Sequence, residues 1–470
     1  MSDPTFTFRS PMPAPADAVY AWHARPLAFT RLAPPWETAT VAHQEGAFGT
    51  DGFRVRIRTG LFGPLKATWL AEAFDFVPGA RFRDRQLKGP FARWEHTHNF
   101  VPDGEGASFL EESIAYRVPF GALALLFGGR MVRKRLEAMF AYRHAVTISD
   151  LKRHAQFAHL PRKTVIVTGS RGLVGSELVP FLTTGGHRVI RLVTGSERPT
   201  FDDGTEWVQW NPSAAPPAAF ERADALIHLA GDNVAAGRWS AAKKARIMSS
   251  RTGPTRLLAQ AVAAQKRPFA FVCASAVGFY GDRHDEELTE ASPIGTGFFP
   301  DVAREWEGAC EPAREAGARV VNARIGVVLS PKGGALGKQL FPFKMGAGAV
   351  LGSGKQWVPW VTIGDTVGAL HHALMSETLR GPVNVVSPRP ATNRDFTKAL
   401  GRALRRPAFF WLPRFALRVL FGEVADAALL ASTRALPAAL TADGFTFDHA
   451  ELEPALRFLL GRALTRAAGS

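Results

Sequence analysis

The first 150 residues alternate between apolar and polar side chains with a period of two. In the segment FRVRIRTG (53–60), the apolar residues fall on one face of an extended chain and the arginines on the other. This period is typical of a β-strand with one buried face. The segments RWEHTHNF (93–100) and FLEESIAYRV (109–118) repeat it. We therefore expect several antiparallel strands in this region.

Two segments of the same region show helical spacing instead. The segment RMVRKRLEAMFAYRHAV (130–146) sets Val132, Leu136 and Phe140 on one face, opposite basic side chains. Apolar residues at such intervals indicate an amphipathic helix. An earlier helix is predicted over PADAVYAWHARPLAFTRL (15–32). The pattern thus predicts a short helix, antiparallel strands and a long closing helix.

The pattern changes after the polar and basic segment SDLKRHAQFAHLPRKT (149–164). Beyond it, apolar strands alternate with helices, an order that favours a parallel sheet with crossover helices. After about residue 405 the chain is mostly helical and interrupted by prolines. A chain of 470 residues exceeds one ordinary core. We predict an N-terminal α+β domain (1–152), a linker (153–162), an α/β domain (163–404) and a small C-terminal module (405–470).

Composition narrows the class of protein. The 46% share of hydrophobic residues is typical of a globular chain. No apolar run has membrane-spanning length, the first residues lack a signal-peptide pattern, and two cysteines are too few for a disulfide framework. These features predict a cytoplasmic protein without an integral membrane segment. The formal net charge of +15 is spread along the whole chain, so we predict no nucleic-acid partner.

A glycine-rich loop follows the first strand of the α/β domain. In TVIVTGSRGLVGSELVPFL (164–182), a buried strand precedes three regularly spaced glycines, and we expect a helix to begin near Leu173. Glycines let the backbone approach a pyrophosphate closely, and a helix N-terminus supplies N–H donors and a positive dipole. We predict that a dinucleotide is bound by Gly169, Ser170, Arg171, Gly172, Leu173, Val174 and Gly175.

The second strand distinguishes between the two nicotinamide dinucleotides. An acidic residue at its end would bind the ribose hydroxyls of NAD, but RVIRLVTGSERP (188–199) has no acid before Glu197. Arg171 lies inside the glycine loop, and Arg191 and Arg198 lie near the end of the strand. Guanidinium groups suit the 2′-phosphate of NADP. We therefore predict NADP, in preference to NAD, with Arg191 as part of the cofactor site.

Further segments follow in the order of extended short-chain dehydrogenases. ADALIHLAG (223–231), FAFVCASAVGFYG (269–281) and RVVNARIGVVLSP (319–331) fit the fourth, fifth and sixth strands of that fold. AREWEGAC (303–310) and LPAALTADGFTF (436–447) closely resemble one branch, the epimerase family proteins with a small C-terminal domain of unknown function. The resemblance implies a Rossmann-type doubly wound parallel sheet that binds NAD(P). The adenine side of the cofactor is then expected to be lined by Leu229, Ala230 and Gly231.

The N-terminal elements resemble the SRPBCC (START-like) helix-grip fold in order and length. That fold wraps a curved sheet around its last helix and leaves an apolar cavity, and some members of the epimerase branch carry such a domain. The resemblance implies a hydrophobic ligand. The segment FGALALLFGGRMVRKR (120–135) is expected to form a lid over the cavity, with peripheral contact to an acidic membrane surface as the alternative.

The usual proton donor of a short-chain dehydrogenase is absent. Hydride transfer at a carbonyl normally uses a tyrosine whose pKa is lowered by a lysine four residues later. In GTGFFPDVAREWEG (295–308), Phe299 and Ala303 occupy these two places. None of the four tyrosines is followed by a lysine at that spacing. Catalysis would therefore depend on other groups.

Two hypotheses for the function follow. In the first, which we favour, the chain is an oxidoreductase or epimerase-like enzyme for a small-molecule substrate. Its catalytic residues are then Ser275 and Tyr280 at the end of the fifth strand, aided by Asp301 or Glu305. In the second, the chain binds NADP(H) without turnover, as a sensor or regulatory module coupled to the hydrophobic-ligand domain. An anion or partner would then be bound by Arg238, Trp239 and Lys243.

A pair of histidines lies on one predicted strand. His96 and His98 place two imidazoles on one face of a strand, but no third ligand is evident, so no metal site is predicted.

The segment near residue 360 departs from the pattern of the family it resembles. The epimerase branch commonly reads Trp-Ile-His-Ile-Asp-Asp near residue 360. This chain has WVTIGD (360–365), with Thr362 in place of the histidine and Asp365 retained. A substrate contact through that histidine is therefore not expected.

Overall fold

The computed structural model describes residues 4–60, 66–119, 121–234 and 237–462, and for 66 and 121–128 it describes the backbone alone. The N-terminal strands are β1 (Thr5–Met12), β2 (Thr40–Glu45), β3 (Phe53–Gly60), β4 (Lys66–Val77), β5 (Arg81–Lys88), β6 (Arg93–Pro102) and β7 (Ser108–Arg117). They form an antiparallel sheet in the order β1-β7-β6-β5-β4-β3-β2. The predicted antiparallel strands are confirmed.

Three helices accompany this sheet: α1 (Ala16–Ala24), α2 (Ala28–Leu32) and α3 (Gly121–Ala155). The prediction of one helix over 15–32 is wrong, because Pro26 has no N–H to donate and Leu27 takes a left-handed φ of 65°. The closing helix is longer than predicted and ends beyond residue 152. The side chains of 121–128, where we expected a lid, lie outside the described residues.

The space between the sheet and α3 is not wholly apolar, contrary to the expectation of an apolar cavity. Aromatic side chains such as Phe82 and Phe140 pack there, but so do the buried side chains of His96 and Glu112. The expectation that His96 and His98 lack a third ligand is also wrong. Asp84 Oδ2 lies 3.2 Å from a nitrogen of each ring.

The remaining strands are β8 (Thr164–Thr168), β9 (Arg188–Val193), β10 (Glu206–Gln209), β11 (Ala225–His228), β12 (Ala270–Ala276), β13 (Glu287–Leu288), β14 (Arg319–Ile325), β15 (Val327–Leu329), β16 (Ala349–Leu351), β17 (Trp357–Val358), β18 (Trp360–Thr362), β19 (Gly381–Val385), β20 (Ala391–Thr392), β21 (Phe410–Leu412) and β22 (Arg434–Ala435). Seven of them form a second sheet in the order β10-β9-β8-β11-β12-β14-β19. All of its pairs are parallel, as predicted.

Helices cover both faces of the parallel sheet. They are α4 (Gly175–Thr184), α5 (Ala241–Ala263), α6 (Phe298–Gly308), α7 (Glu311–Glu315), α8 (Gly334–Lys344), α9 (Ile363–Met375), α10 (Asn393–Leu404), α11 (Arg414–Phe421), α12 (Ala438–Ala442) and α13 (Leu452–Leu459). Apolar residues of α4 and α9 pack on one face, and those of α5 and α6 on the other. The doubly wound sheet is therefore confirmed. None of the described helices is long and apolar enough to cross a bilayer.

Buried ion pairs join the N-terminal domain to the rest of the chain. Arg153 of α3 donates to Asp365 of α9 at 2.9 Å and to Asp448 at 2.7 Å. Thr362 caps α9 by accepting from the Asp365 N–H at 3.0 Å and donates its hydroxyl to the same carboxylate at 2.9 Å. The position that differs from the family pattern thus helps to hold a carboxylate at the domain junction.

Three neutral histidines lie at the same junction: His154, His187 and His371. Burial lowers the pKa of His187 to about 4 and lowers those of the other two. The imidazoles of an unfolded chain titrate near pH 6.5, so the unfolded state binds more protons between about pH 6.5 and about pH 4. Stability contributed by these groups is therefore lost as the pH falls through that window.

Replacing His187 by asparagine should reduce this acid sensitivity. Asparagine can still accept the N–H of Lys163, which donates to His187 Nδ1 at 3.1 Å, but it does not titrate. When the pH is lowered from about 7 to about 4.5, the unfolding free energy of the wild type should fall by up to about 3 kcal/mol more than that of His187→Asn. Urea unfolding across this range measures the difference. Parallel pH profiles for the two proteins would contradict the prediction.

Candidate cofactor site and active site

The glycine loop between β8 and α4 is closed too tightly for other side chains. Gly169 has a φ of +66°, and a Cβ there would lie 2.8 Å from the backbone of Leu229 and Ala230. A Cβ on Gly175 would lie 2.3 Å from the carbonyl oxygen of Gly169. Both glycines are therefore required by the path of the backbone.

The loop also has a side chain ready for a ligand. The hydroxyl of Ser170 is buried, and it has no hydrogen-bond partner within the part of the chain that the structure describes. A buried polar group without a partner is costly, so a bound oxygen atom at this place would stabilise the loop. Helix α4 begins at Gly175, two residues later than predicted, because residues 170–174 form the turn that leads into it. These features fit a pyrophosphate.

The adenine-side residues belong to a buried hydrogen-bond chain. Thr168 Oγ1 accepts from the N–H groups of Leu229 and Ala230 at 3.2 and 3.3 Å and contacts His228 Nδ1 at 2.6 Å. The other nitrogen of His228 contacts Thr255 Oγ1 at 2.9 Å. Burial lowers the pKa of His228 to about 3, so its ring is neutral at physiological pH. These hydrogen bonds fix the end of β11 and the residues that follow it, Leu229 and Ala230, against the glycine loop.

The arginines proposed for the 2′-phosphate converge on one indole. The guanidinium carbons of Arg171, Arg191 and Arg198 lie 5.2, 4.6 and 5.7 Å from the ring centroid of Trp207. Arg191 is buried and donates to Asp203 at 2.9 Å, whereas Arg171 is exposed and contacts Glu197. Direct phosphate contact by Arg191 stays a prediction, because it would have to compete with Asp203.

A buried polar network lies at the carboxyl end of β12. Ser275 Oγ donates to Glu307 Oε1 at 2.7 Å, and Arg324 holds the same carboxylate through two bonds of 2.9 Å. Arg324 also donates to the Tyr280 hydroxyl at 3.0 Å, and that hydroxyl donates to Asn384 at 2.7 Å. The two residues predicted from the sequence are thus joined through a carboxylate and a guanidinium.

The two hydroxyls of this network differ in their environment. Tyr280 has 0% exposure, and burial raises its pKa above the usual value despite the neighbouring Arg324. Ser275 points instead to Glu307, a carboxylate on α6. The predicted aids Asp301 and Glu305 carry side chains that are 53% and 54% exposed beside Arg304, so the structure does not bring them to Ser275. Glu307 occupies the place that we assigned to them.

Aromatic side chains surround Phe299, which stands where short-chain dehydrogenases usually have the proton-donating tyrosine. The ring of Phe299 lies 5.1 Å from that of Trp239, and Phe298 joins the cluster. Ala303 is buried. Lys243, expected to bind an anion with Arg238 and Trp239, is also buried and donates to Asp232 at 2.7 Å. An anion or partner bound by these three residues stays a prediction, and at Lys243 it would have to compete with Asp232.

A cavity of about 430 Å³ opens between residues 352–356 and the C-terminal module. Its walls include Asp282, Gln356, Trp411, Arg414 and Asp426. This volume falls within the range of small-molecule sites. The mixture of an indole with charged groups suits a polar ligand that has one flat or apolar part.

Sequence reasoning missed Glu307, Arg324 and Trp207. Arg324 left a signal, since it is a charged residue inside the apolar strand RVVNARI and must find a partner when buried. Glu307 left none, because it is one of several acids on an amphipathic helix. Trp207 lies in β10, whose position beside β9 appears only in the folded sheet.

Three family models match this chain in succession. Residues 12–140 match polyketide cyclase / dehydrase and lipid transport proteins, and residues 165–386 match the NAD dependent epimerase/dehydratase family. Residues 412–459 match a domain of unknown function, DUF1731. The match to the first model confirms the SRPBCC-like N-terminal domain.

Similar proteins carry related names. The epimerase family protein Mb2239 of Mycobacterium bovis is 43% identical over 304 residues, which cover 64% of this chain and 98% of that protein. The human epimerase family protein SDR39U1 is 35% identical over 297 residues, 62% of this chain and 98% of its own length. Both similarities are consistent with the match of residues 165–386.

Two solved structures share the fold. A nucleoside-diphosphate sugar epimerase from Corynebacterium glutamicum superimposes with a TM-score of 0.77 and 34% identity, over 97% of this chain and 90% of that one. Human SDR39U1, crystallised with NADPH, superimposes with a TM-score of 0.58 and 33% identity, over 63% of this chain and 99% of its own. The first of these similarities extends across the N-terminal domain as well.

Proposed function

The chain belongs to the epimerase family, and we propose that it is an NADP(H)-dependent oxidoreductase or epimerase-like enzyme acting on a small molecule. The glycine loop with the unpartnered hydroxyl of Ser170 is the observation that carries cofactor binding. Gly169 to Gly175 would hold the pyrophosphate, and Leu229, Ala230 and Gly231 would line the adenine side. When bound, the nicotinamide supplies a hydride donor or acceptor. The similarity to human SDR39U1, crystallised with NADPH, supports the choice of cofactor.

Arg171 should determine the preference for NADP over NAD. Its side chain is 42% exposed beside the glycine loop, and its guanidinium would exchange its bonds to Glu197 for a 2′-phosphate. A charge-assisted bond of about 1.5–3 kcal/mol corresponds to about a 10- to 100-fold loss of NADPH affinity in Arg171→Ala, with NADH affinity nearly unchanged. Titration by tryptophan fluorescence measures both. Arg222, an exposed arginine paired with Glu206, provides the matched control variant Arg222→Ala. Equal losses for both cofactors would refute the assignment.

We propose Ser275 as the group that exchanges a proton with the substrate in place of the missing tyrosine. Glu307 accepts the Ser275 hydrogen bond and is itself held by Arg324, so a proton can pass between hydroxyl and carboxylate. Tyr280 accepts from the other end of Arg324, and we assign it the positioning of that guanidinium.

Ser275→Ala should then lower turnover without weakening cofactor binding. General acid–base participation is worth about 10²–10⁴ in rate, and we expect a loss of kcat in that range. The measurement is NADPH oxidation over a panel of aldehydes, ketones and nucleotide sugars, with NADPH affinity measured in parallel. Glu305→Ala, on the exposed face of α6, is the control and should leave kcat unchanged. Wild-type rates in Ser275→Ala would contradict the proposed role.

The apolar surroundings of Phe299 favour a second candidate function. The proton donor usual in short-chain dehydrogenases is replaced by Phe299, which packs in an aromatic cluster with Trp239 and Phe298, an arrangement that suits a protein that binds NADP(H) without turnover. The N-terminal domain would then report a hydrophobic ligand to the cofactor domain through the buried junction at Arg153. Tight NADPH binding without oxidation of NADPH by any member of the carbonyl panel would favour this function.

A further inference from the structure

Two histidines, an aspartate and a glutamate form a compact cluster inside the N-terminal domain. Asp84 lies on β5 directly opposite His96 on β6, and His98 lies opposite Glu112 on β7. His96 and Glu112 are buried, and the side chains of His98 and Asp84 are 12% and 23% exposed. Strand register therefore brings four potential ligands together from three neighbouring strands, on the face that packs against α3.

The cluster has two distinct sides. On one side, Asp84 Oδ2 lies 3.2 Å from His96 Nδ1 and 3.2 Å from His98 Nε2. On the other, Glu112 Oε2 lies 2.7 Å from His96 Nε2 and 2.8 Å from His98 Nδ1. Each imidazole thus presents one nitrogen to Asp84 and the other to Glu112.

We propose that Asp84, His96 and His98 bind a divalent transition-metal ion, with Glu112 as the acceptor that orients the His96 imidazole. Imidazole nitrogen and carboxylate oxygen are donors that suit Zn²⁺, Fe²⁺ and similar first-row ions. The three ligand atoms all lie within 4.8 Å of one another. The site has two imidazoles and one carboxylate, and it leaves coordination positions for water or a substrate.

The distances fit metal coordination. Ligand bonds of about 2.0–2.2 Å at angles between octahedral and tetrahedral place two donors about 3.0–3.5 Å apart. The two contacts of 3.2 Å at Asp84 have this length. They are longer than a charge-assisted hydrogen bond, which measures about 2.7–2.9 Å.

A histidine metal site also needs a group that orients its imidazole rings, and Glu112 lies where it can serve as that group. A metal-bound imidazole usually donates its other N–H to a carboxylate, which fixes the tautomer and the ring orientation. Glu112 Oε2 is hydrogen-bonded to His96 Nε2 at 2.7 Å. It also lies 2.8 Å from His98 Nδ1, but without the geometry of a hydrogen bond. Phe82 also stacks on His98, with ring centroids 4.1 Å apart and an interplanar angle of 23°. Both rings are therefore held in place before any ion binds.

The charges favour a cation at this place. Two carboxyl groups, Asp84 and Glu112, lie within 3.2 Å of the imidazole nitrogens. Their negative charge offsets the charge of a divalent ion in a buried site.

A second cluster of histidines in the same chain can be compared with the proposed metal site. His154, His187 and His371 also converge within 4.8 Å of one another. All three are buried. This second cluster has no carboxylate among its three ligands, so it lacks the negative charge that the first cluster offers a divalent cation.

The test uses the full-length protein after treatment with a chelator. Zn²⁺ is titrated against a competing chromophoric chelator, and Co²⁺ by its visible absorption. We expect one high-affinity ion per chain. Glu112→Gln should weaken binding about 10- to 100-fold, as is common for outer partners of ligands, and Asp84→Asn and His98→Gln should weaken it more. His187→Asn, in the second cluster, should bind like the wild type.

Several outcomes would overturn the proposal. It fails if the wild type does not bind either ion stoichiometrically, or if Asp84→Asn and His98→Gln keep full affinity. It also fails if binding is lost in His187→Asn alone. NADPH affinity shows that each variant retains its cofactor domain. If a variant does not fold, crystals of the wild type soaked in Zn²⁺ decide by the position of the anomalous peak, which must lie between Asp84, His96 and His98.

Discussion

A single methyl group at Gly175 should abolish NADPH binding. The added Cβ of Gly175→Ala would lie 2.3 Å from the carbonyl oxygen of Gly169 and 2.7 Å from the Cα of Ser170. Since both contacts are to backbone, no side-chain rotation relieves them, and the loop must open. Loss of two charge-assisted hydrogen bonds to phosphate, at about 1.5 kcal/mol each or more, lowers the affinity at least about 100-fold.

Gly253 provides the matched control for this variant. It lies within α5, and a Cβ there would have no neighbour within 4 Å. Alanine is the better helix former, so Gly253→Ala should be neutral or stabilising by up to about 1 kcal/mol. Fluorescence titration with NADPH and thermal unfolding of both variants provide the comparison. NADPH binding by Gly175→Ala within a factor of a few of the wild type would show that the loop does not hold the pyrophosphate.

The cofactor loop could be predicted because its signal is local. Strand, glycines and helix follow one another within 20 residues, and the backbone path that needs Gly169 and Gly175 is a property of that segment alone. The strands of the N-terminal domain were predictable for the same reason, since their alternation can be seen within eight residues. The break at Pro26 was also visible in the sequence, and the prediction of one helix gave it too little weight.

The chemistry of the two proposed sites could not be predicted in this way. Ser275, Glu307 and Arg324 are far apart in sequence and meet because β12 pairs with β14 while α6 packs beside them. The ligands of the proposed metal site depend on register. A shift of one residue between β5 and β6 would turn Asp84 to the other face of the sheet from His96. Alternation predicts which residues share a face within a strand, but not which residues lie opposite in the next strand.

The hydrogen bonds at the domain junction give Thr362 a structural role. Thr362 lies where the resemblance led us to expect a histidine, and its hydroxyl donates to Asp365. That carboxylate then accepts from Arg153 of the N-terminal domain and from the N–H groups of Asp448 and His449. The segment around Thr362 therefore helps to attach the N-terminal domain to the rest of the chain.

Removing that carboxylate should strongly destabilise the protein. Asp365 is 1% exposed, and Asp365→Ala would leave the buried guanidinium of Arg153 with Asp448 as its remaining carboxylate partner. Breaking a buried ion pair from one side costs about 3–5 kcal/mol, because the charge left behind is poorly compensated. We expect a loss of this size in the urea unfolding free energy. The control is Glu305→Ala, which removes an exposed charge beside Arg304 and should change stability by less than about 0.5 kcal/mol. A loss below about 1 kcal/mol in Asp365→Ala would mean that Asp448 alone suffices for Arg153.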